Sequence, residues 1–422
     1  MTKRKSIISV LISCCIMLAS LFVFAACGED KPHEHEFAQK WSSNAQYHWH
    51  ASTCGHDDTV EKEAHDTPRW QSNAAQHWLA CPTCGYEFSD RADHVYENES
   101  YECKDCHRIS EEATILVTTD SGEITYYGEF SQAVINKEEV KAGSTIVLLK
   151  DVTITKYISV VKNLTIDFGG HTVTAYNEDS GQLAGGIDLS YGQNGENAGT
   201  ELTLLNGTLK TQKWGVWVQN AGKLTVGKDF TIHANTAHTK AANAITVVEP
   251  GSTINIDGTC EVEGEETICI SGNGTSGKGN VTININDGAV ITGSEIGVYM
   301  PNTGYLNIGK ATIESKTAVY IKAGNVTIDG ATLIATGAPT EYVCREGGAT
   351  ATGDAIVVDS MGYPGGTPVL TLIDADITTE EGCNAIVGYA INGNSYIINN
   401  NVTTKYNVVE VARNNVTPKK IG

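Results

Sequence analysis

The residues best equipped for chemistry are cysteines and histidines crowded between positions 33 and 107. Cys81-Pro-Thr-Cys84 and Cys103-Lys-Asp-Cys106 each place two thiols three positions apart, a spacing that lets a tight turn bring both sulfurs onto one tetrahedral metal ion. Nine of the chain's 12 histidines fall in the same stretch. The segment repeats itself. Trp41-Ser-Ser-Asn-Ala-Gln-Tyr-His48-Trp49-His50 is echoed by Trp70-Gln-Ser-Asn-Ala-Ala-Gln-His77-Trp78-Leu79. The first copy runs on to Cys54 and His65, the second to Cys81, Cys84 and His94. A third, shortened copy gives Tyr101-Glu-Cys103-Lys-Asp-Cys106-His107.

The two Cys-x2-Cys pairs are separated by 18 residues, the spacing of a zinc ribbon. Two ligand arrangements fit. One is a single four-cysteine site at Cys81, Cys84, Cys103 and Cys106. The other is one ion per repeat: Cys81, Cys84 and His94 with His65 or His77 in the second unit, and some of His35, His48, His50, Cys54 and His65 in the first. The first unit lacks one cysteine of the pair, which makes it the weaker site. The expected role is structural zinc, which folds segments with little core of their own. Disulfides across the pairs and free thiols are the alternatives. Catalytic zinc needs three ligands, an open position and a nearby base, and no acid here (Glu61, Glu63, Asp93) is spaced to supply one. The segment, 33–110, resembles the Cys/His repeats that stand between lipid anchor and ligand-binding region in bacterial surface proteins. That resemblance implies a spacer or interaction role.

What must position these groups begins at the N-terminus. Lys3-Arg4-Lys5 precedes an apolar run from Ile7 to Phe24 and the sequence Phe24-Ala25-Ala26-Cys27. Small residues before a cysteine resemble the lipobox of bacterial lipoproteins, with Phe where Leu is usual. The resemblance implies removal of residues 1–26 and a diacylglyceryl group on Cys27, with 27–32 as a short anchor linker. A secretory signal or a retained anchor are the other readings. Two acyl chains would hold the protein at the extracellular face of the cell membrane. Formal charge is −21, which argues against a nucleic-acid partner. Removing Cys14, Cys15 and Cys27 from the 12 cysteines leaves an odd number, so a pure disulfide framework is not expected.

From 113 to 422 the chain is a different polymer. One phrase recurs nine times: a short strand of the form A-I-x-V, a turn, then L-T-I-x-G-x-T-I, as in Ala318-Val319-Tyr320-Ile321 followed by Val326-Thr327-Ile328. The alternation is strand-like and the recurrence is that of a stacked solenoid. Its paired strands are expected to start near Leu164, Leu202, Leu224, Ile254, Val281, Leu306, Val326, Leu370 and Tyr396, and near Ile187, Val216, Ile245, Ile268, Val298, Val319, Ile356, Ile386 and Val409. A helical spacing over Phe130 to Val140, ending at Ala142-Gly143, leads into Ser144-Thr-Ile-Val-Leu-Leu. This entry resembles the N-terminal cap of right-handed parallel β-helix proteins of the pectate-lyase-like group, which implies an all-β fold with a short capping helix.

Stacking aligns the position x of A-I-x-V in one outward column, about 4.8 Å per turn. Its members are Asp188, Trp217, Thr246, Cys269, Tyr299, Tyr320, Val357, Val387 and Glu410. Trp217, Tyr299 and Tyr320 suit stacking on sugar rings. The alternative is that an insertion, such as 337–353, covers the column. The group also contains polysaccharide lyases and glycoside hydrolases, but their acid and base clusters do not line up here. Asp354 stands alone in Gly353-Asp354-Ala355-Ile356, and Asp359, Asp374 and Asp376 read as ordinary carboxylates. The expected function is therefore a non-catalytic module binding extracellular polysaccharide, with an enzyme or a purely structural surface protein as alternatives.

Overall fold

The computed structural model describes residues 34–97, 100–177, 185–192, 195–235, 242–248, 250–272, 280–345, 347–361, 366–401 and 405–419. The leader (1–26), Cys27 and the whole 27–32 linker lie outside these residues, as does His33. Among the described residues no helix is long and apolar enough to cross a membrane. The chain divides into two compact units, Met1–Ile109 and Ser110–Gly422.

The first unit carries two small antiparallel sheets, one per full repeat: Ser42–Ser43, Tyr47–Ala51 and Thr59–Ala64, then Arg69–Ser72, Gln76–Ala80 and Ala92–Asp93. Each opens on the same turn. Asn44 Oδ1 accepts from the backbone N–H groups of Gln46 and Tyr47, and Asn73 Oδ1 from those of Ala75 and Gln76, both at 2.8–2.9 Å. Asparagine mimics a backbone turn in this way. Among the described residues of this unit, the buried ones are His48, His77, Ala80, Cys81 and Cys103. Four of the five carry a metal-binding atom, so hydrocarbon packing contributes little here.

The second unit is all-β: a solenoid-like stack of parallel strands, compatible with a β-helix. Each full turn contributes three strands, not two. The turn Lys223–Val226, Phe230–Asn235, Asn243–Val247 stacks on the next, Thr253–Ile256, Thr259–Glu263, Ile268–Ser271. The same pairing runs through the unit, so three apolar ladders face inward. One is Leu164, Leu202, Leu224, Ile254, Ile283, Leu306, Val326, Leu370. The middle strand, hidden in the second half of the repeated phrase, supplies Val173, Leu209, Ile232, Cys260, Ile291, Ile313, Leu333. The third is Ile187, Val216, Ile245, Ile270, Val298, Val319, Ile356, Ile386. Nearly all of these are fully buried. Outside, Asn255, Asn284 and Asn307 form a ladder of side-chain amide bonds at 2.8 and 2.9 Å.

Two details depart from the sequence expectation. The helix spans Gln132–Ile135 alone, capped by Ser131, while Phe130, Val134, Ile135 and Val140 still join the stack's core. The chain turns after Asn136, and Gly143 adopts φ +87° against Asp120 rather than ending the helix. In the third column Ile270, not Ile268, aligns with Ile245, so the outward residue of that turn is Ser271 and not Cys269. Cys260 and Cys269 are both buried and unbridged, with the Cys269 thiol 3.2 Å from the Cys260 carbonyl.

Candidate functional site

In the first unit the ligand atoms gather into three groups, each within 4.8 Å: His48, His65, Cys81, Cys84; His77, His94, Cys103, Cys106; and His35, Cys54, His56. Each can hold a metal ion. The four-cysteine arrangement is not the one that forms, and His94 joins Cys103 and Cys106 rather than Cys81 and Cys84. A repeat gives two histidines, 17 positions apart, to the Cys-x2-Cys of the following repeat. Sequence reasoning offered His65 of the preceding repeat to Cys81 and Cys84, and the structure brings these together, but it kept His48 with Cys54 and His94 with Cys81 and Cys84, because nothing in the spacing says which neighbour a strand will face.

The geometry is closely matched in the two complete groups. Nδ1 of His65 lies 3.3 Å from the Cys84 sulfur and Nδ1 of His48 3.9 Å from Cys81. In the other group Nδ1 of His94 is 3.4 Å from Cys106, Nδ1 of His77 is 3.6 Å from Cys103, and the two Nδ1 atoms are 3.3 Å apart. The outer nitrogens are held too. Nε2 of His65 donates to the Asn44 carbonyl at 2.6 Å, and Nε2 of His94 to the Asn73 carbonyl at 2.9 Å. The asparagine turn thus fixes each ring with Nδ1 aimed at the sulfurs, an outer-sphere arrangement common to metal-binding histidines. Trp41 and Trp70 pack edge-on against His48 and His77, at centroid distances of 4.5 and 4.8 Å.

The cysteine turns match as well. Gly85 N–H donates to Cys81 O and His107 N–H to Cys103 O, with φ of +76° and +59° at the residue after each second cysteine. Burial pushes the Cys81 thiol up, but the backbone N–H of Cys84, the His65 ring and the backbone N–H of Thr83 bring it down to about 6. At Cys103 burial is likewise outweighed, by the N–H groups of Cys106 and Asp105 and by His94, which bring it to about 6. The turns therefore favour thiolate, the form that binds metal, at the first cysteine of each pair, whereas burial and that neighbouring sulfur push Cys84 and Cys106 up.

In the stacked unit the outward aromatics divide. Tyr299 and Tyr320 are only 3% and 1% exposed, so they offer no open platform. The 337–353 insertion lies over them with Tyr342, Cys344 and Ala351. Tyr299 donates to the Gly348 carbonyl at 3.1 Å. The hydroxyls of Tyr320 and Tyr342 both donate to Asp359 Oδ2 at 2.9 Å, with Lys322 Nζ 4.0 Å away and itself donating to Arg345 O at 2.8 Å. Lys322 and Asp359 are fully buried, so this network pins the insertion down rather than facing a ligand. Asp354 is similarly engaged: Oδ1 accepts from the backbone and side-chain amides of Asn384, and Oδ2 from Thr352. Asp374 and Asp376 are exposed, and Asp376 pairs with Lys405.

Trp217 is the half-buried survivor, and it belongs to a cluster the repeat did not reveal. Trp214 lies 6.1 Å from Trp217 and 5.8 Å from Tyr157. Tyr157 (44% exposed) and Tyr191 (49% exposed) line an open groove of about 850 Å³, together with Gln132, Asn136, Ser159 and Asn197. Gln132 is clamped there, its amide donating to the Ser159 carbonyl at 3.0 Å. Asp188 stacks between Ser159 and Trp217, accepts from Gln219 at 2.6 Å, and is raised to about 6 by burial. Tyr157 and Tyr191 sit on corners between strands, where no periodicity marks them.

Comparison with protein-family models, with curated proteins and with solved structures finds no match.

Proposed function

We propose that this chain is a bacterial surface lipoprotein that binds extracellular polysaccharide without cleaving it. Residues 1–26 are its signal, Cys27 its lipid-bearing anchor, and residues 34–109 a zinc-folded spacer. Residues 113–422 form a right-handed parallel β-helix of the pectate-lyase-like kind, with Gln132–Ile135 at its N-terminal end.

The observation that carries the binding reading is the groove at Tyr157 and Tyr191. It offers exposed phenol rings, with Trp214 beside Tyr157, and a lining that mixes amides and hydroxyls with the charged side chains of Lys156 and Glu196. Rings stack on the apolar C–H faces of sugars, while amides exchange hydrogen bonds with hydroxyl groups. Asp188, the perturbed carboxyl beside the groove, accepts from Gln219, while the carboxylate in the lining itself is Glu196; the hydrolytic alternative would need these two to act as a couple.

Zinc follows from donor chemistry. Zn–S bonds of about 2.3 Å and Zn–N bonds of about 2.05 Å in a tetrahedron put sulfur about 3.6 Å from nitrogen, and the two nitrogens about 3.3 Å apart. The gaps of 3.3–3.9 Å between sulfur and Nδ1, and of 3.3 Å between His77 and His94, sit around those values. Two thiolates and two imidazoles form a closed, structural set.

The test is a glycan array read alongside reducing-sugar and unsaturated-product assays, with wild type and the Tyr157→Ala/Tyr191→Ala double variant. Binding by the wild type, weakened about 10-fold or more in the variant at roughly 1 kcal/mol per aromatic contact, supports the reading. Binding that the variant leaves intact, or no binding at all, contradicts it. Turnover abolished by Asp188→Asn would replace it with an enzymatic one.

A further inference from the structure

We propose that the groove at Tyr157 and Tyr191 continues across the N-terminal end of the stack and holds an internal stretch of an extended, uncharged polysaccharide, not a chain end or a single sugar. The inference rests on the polysaccharide reading of that groove and specifies its ligand.

The first turn of the stack is closed unevenly. Its three strands are Thr145–Leu148, Val152–Ile154 and Ile158–Val160, and each has an edge that no earlier turn covers. Ile115–Thr118 pairs antiparallel with Thr145–Leu148 and covers the first. Gln132 covers the third: its amide N–H donates to the Ser159 carbonyl, and its side-chain oxygen accepts from the Ser159 N–H. Val152–Ile154 pairs with Thr172–Ala175, and among the described strands none lies on its other edge. The Ile154 carbonyl accepts from the Tyr176 N–H, which turns the backbone of Ile154 toward its partner. The backbone of the alternate residue, Thr153, therefore points the other way. An uncovered edge presents N–H and C=O groups ready to bond.

That edge borders a second groove, of about 590 Å³, lined by Val152 to Ile158 and by Gly128 to Ala133. Gln132, Thr155, Lys156 and Tyr157 line both grooves, so one runs into the other past Tyr157. Sites of about 300–1,000 Å³ already enclose a small ligand. The first groove is of that size by itself, at about 850 Å³, and the second gives a longer ligand room to continue. Thr153 and Thr155 are exposed along the second section, and their hydroxyls, with the Thr153 backbone, suit the hydroxyl groups of further sugars. Charge narrows the class. Among the described residues the two linings set Lys150 and Lys156 against Glu129, Asp151 and Glu196. Lys150 already donates to the carbonyls of Glu111 and Glu112. With acids outnumbering bases in the groove and −21 on the chain, a polyanion is repelled, whereas a neutral chain is not.

The experiment titrates the full chain with neutral gluco-, xylo- and manno-oligosaccharide ladders and with a galacturonate ladder, each from about two to about eight units. At least one neutral ladder is expected to gain about 10-fold or more in affinity between about three and about six units, as the chain reaches the second section. Thr153→Trp fills that section from an exposed position. It should abolish the gain and leave short oligomers within about 2-fold of their wild-type affinity, which also reports that the variant is folded. Tyr157→Ala/Tyr191→Ala should weaken every length. Affinity that stays flat with length, a gain that survives in Thr153→Trp, or a galacturonate ladder bound more tightly than any neutral one would each overturn the proposal. Short oligomers that still depend on Tyr157 and Tyr191 would then leave the polysaccharide reading standing; no binding by any ladder sinks both.

Discussion

The two units bury opposite things. Residues 34–109 bury His48, His77, Cys81 and Cys103 with a single alanine, whereas residues 110–422 bury three ladders of Leu, Ile and Val, with Cys260 as one rung of the middle one. One unit fills its interior with atoms able to bind metal and the other with hydrocarbon. The contrast decides where function can sit. In the stacked unit the interior is full, so a ligand is met on the outside of the stack, as at the groove of Tyr157 and Tyr191. In the first unit the candidate donor atoms are themselves the interior, so a metal ion held there would be the centre of the core.

The largest break in this comparison should come from a strong chelator. Structural zinc supplies on the order of 10 kcal/mol or more of apparent folding energy in small domains. Chelation is expected to make residues 34–109 fully susceptible to protease while the fragment from about 110 onward survives. Loss of both units together would contradict the division. Next in size is a core truncation. Ile283 is fully buried in the first ladder, and Ile283→Ala is expected to cost about 2–5 kcal/mol. Thermal melting should register that loss in the stacked unit, with tightly bound zinc unchanged at two ions. A smaller effect should follow pH. The folded Asp188 carboxyl keeps its proton up to about 6, whereas an unfolded one releases it near 4. Its stabilising contribution is full below about 4 and is lost as pH rises through 6. Between pH 4.5 and 7.5 the wild type should therefore lose about 1–2 kcal/mol more than Asp188→Asn. Parallel melting curves for the two proteins at both pH values would refute the assignment.

The sequence was most readable where one rule acts locally. Strand starts from Leu164 to Leu370 and from Ile187 to Ile386 follow from alternating Thr, Val and Ile, because stacking repeats the same burial in every turn. The Cys-x2-Cys turns were equally plain. The middle strand was harder to see, since it shares a phrase with its neighbour and in Asn325–Ala335 merges with it through Gly330. Contacts between distant segments were not readable at all. Period 2 put Tyr299 and Tyr320 on the outside of the stack, but only tertiary structure reveals that Tyr342 and Gly348 come back over them. The same limit hid the approach of His48 to Cys81 and Cys84, and the meeting of Tyr157 with Trp214.

The central claim is that each complete metal group is shared between adjacent repeats, and counting tightly held zinc in single-cysteine variants tests it most directly. After a mild chelator has cleared weakly held metal, native mass spectrometry of the full chain should find two ions in the wild type. Cys81→Ser and Cys103→Ser should each retain one, and the double variant none. One ion in the wild type, abolished by either substitution alone, would contradict the account and restore a single four-cysteine site.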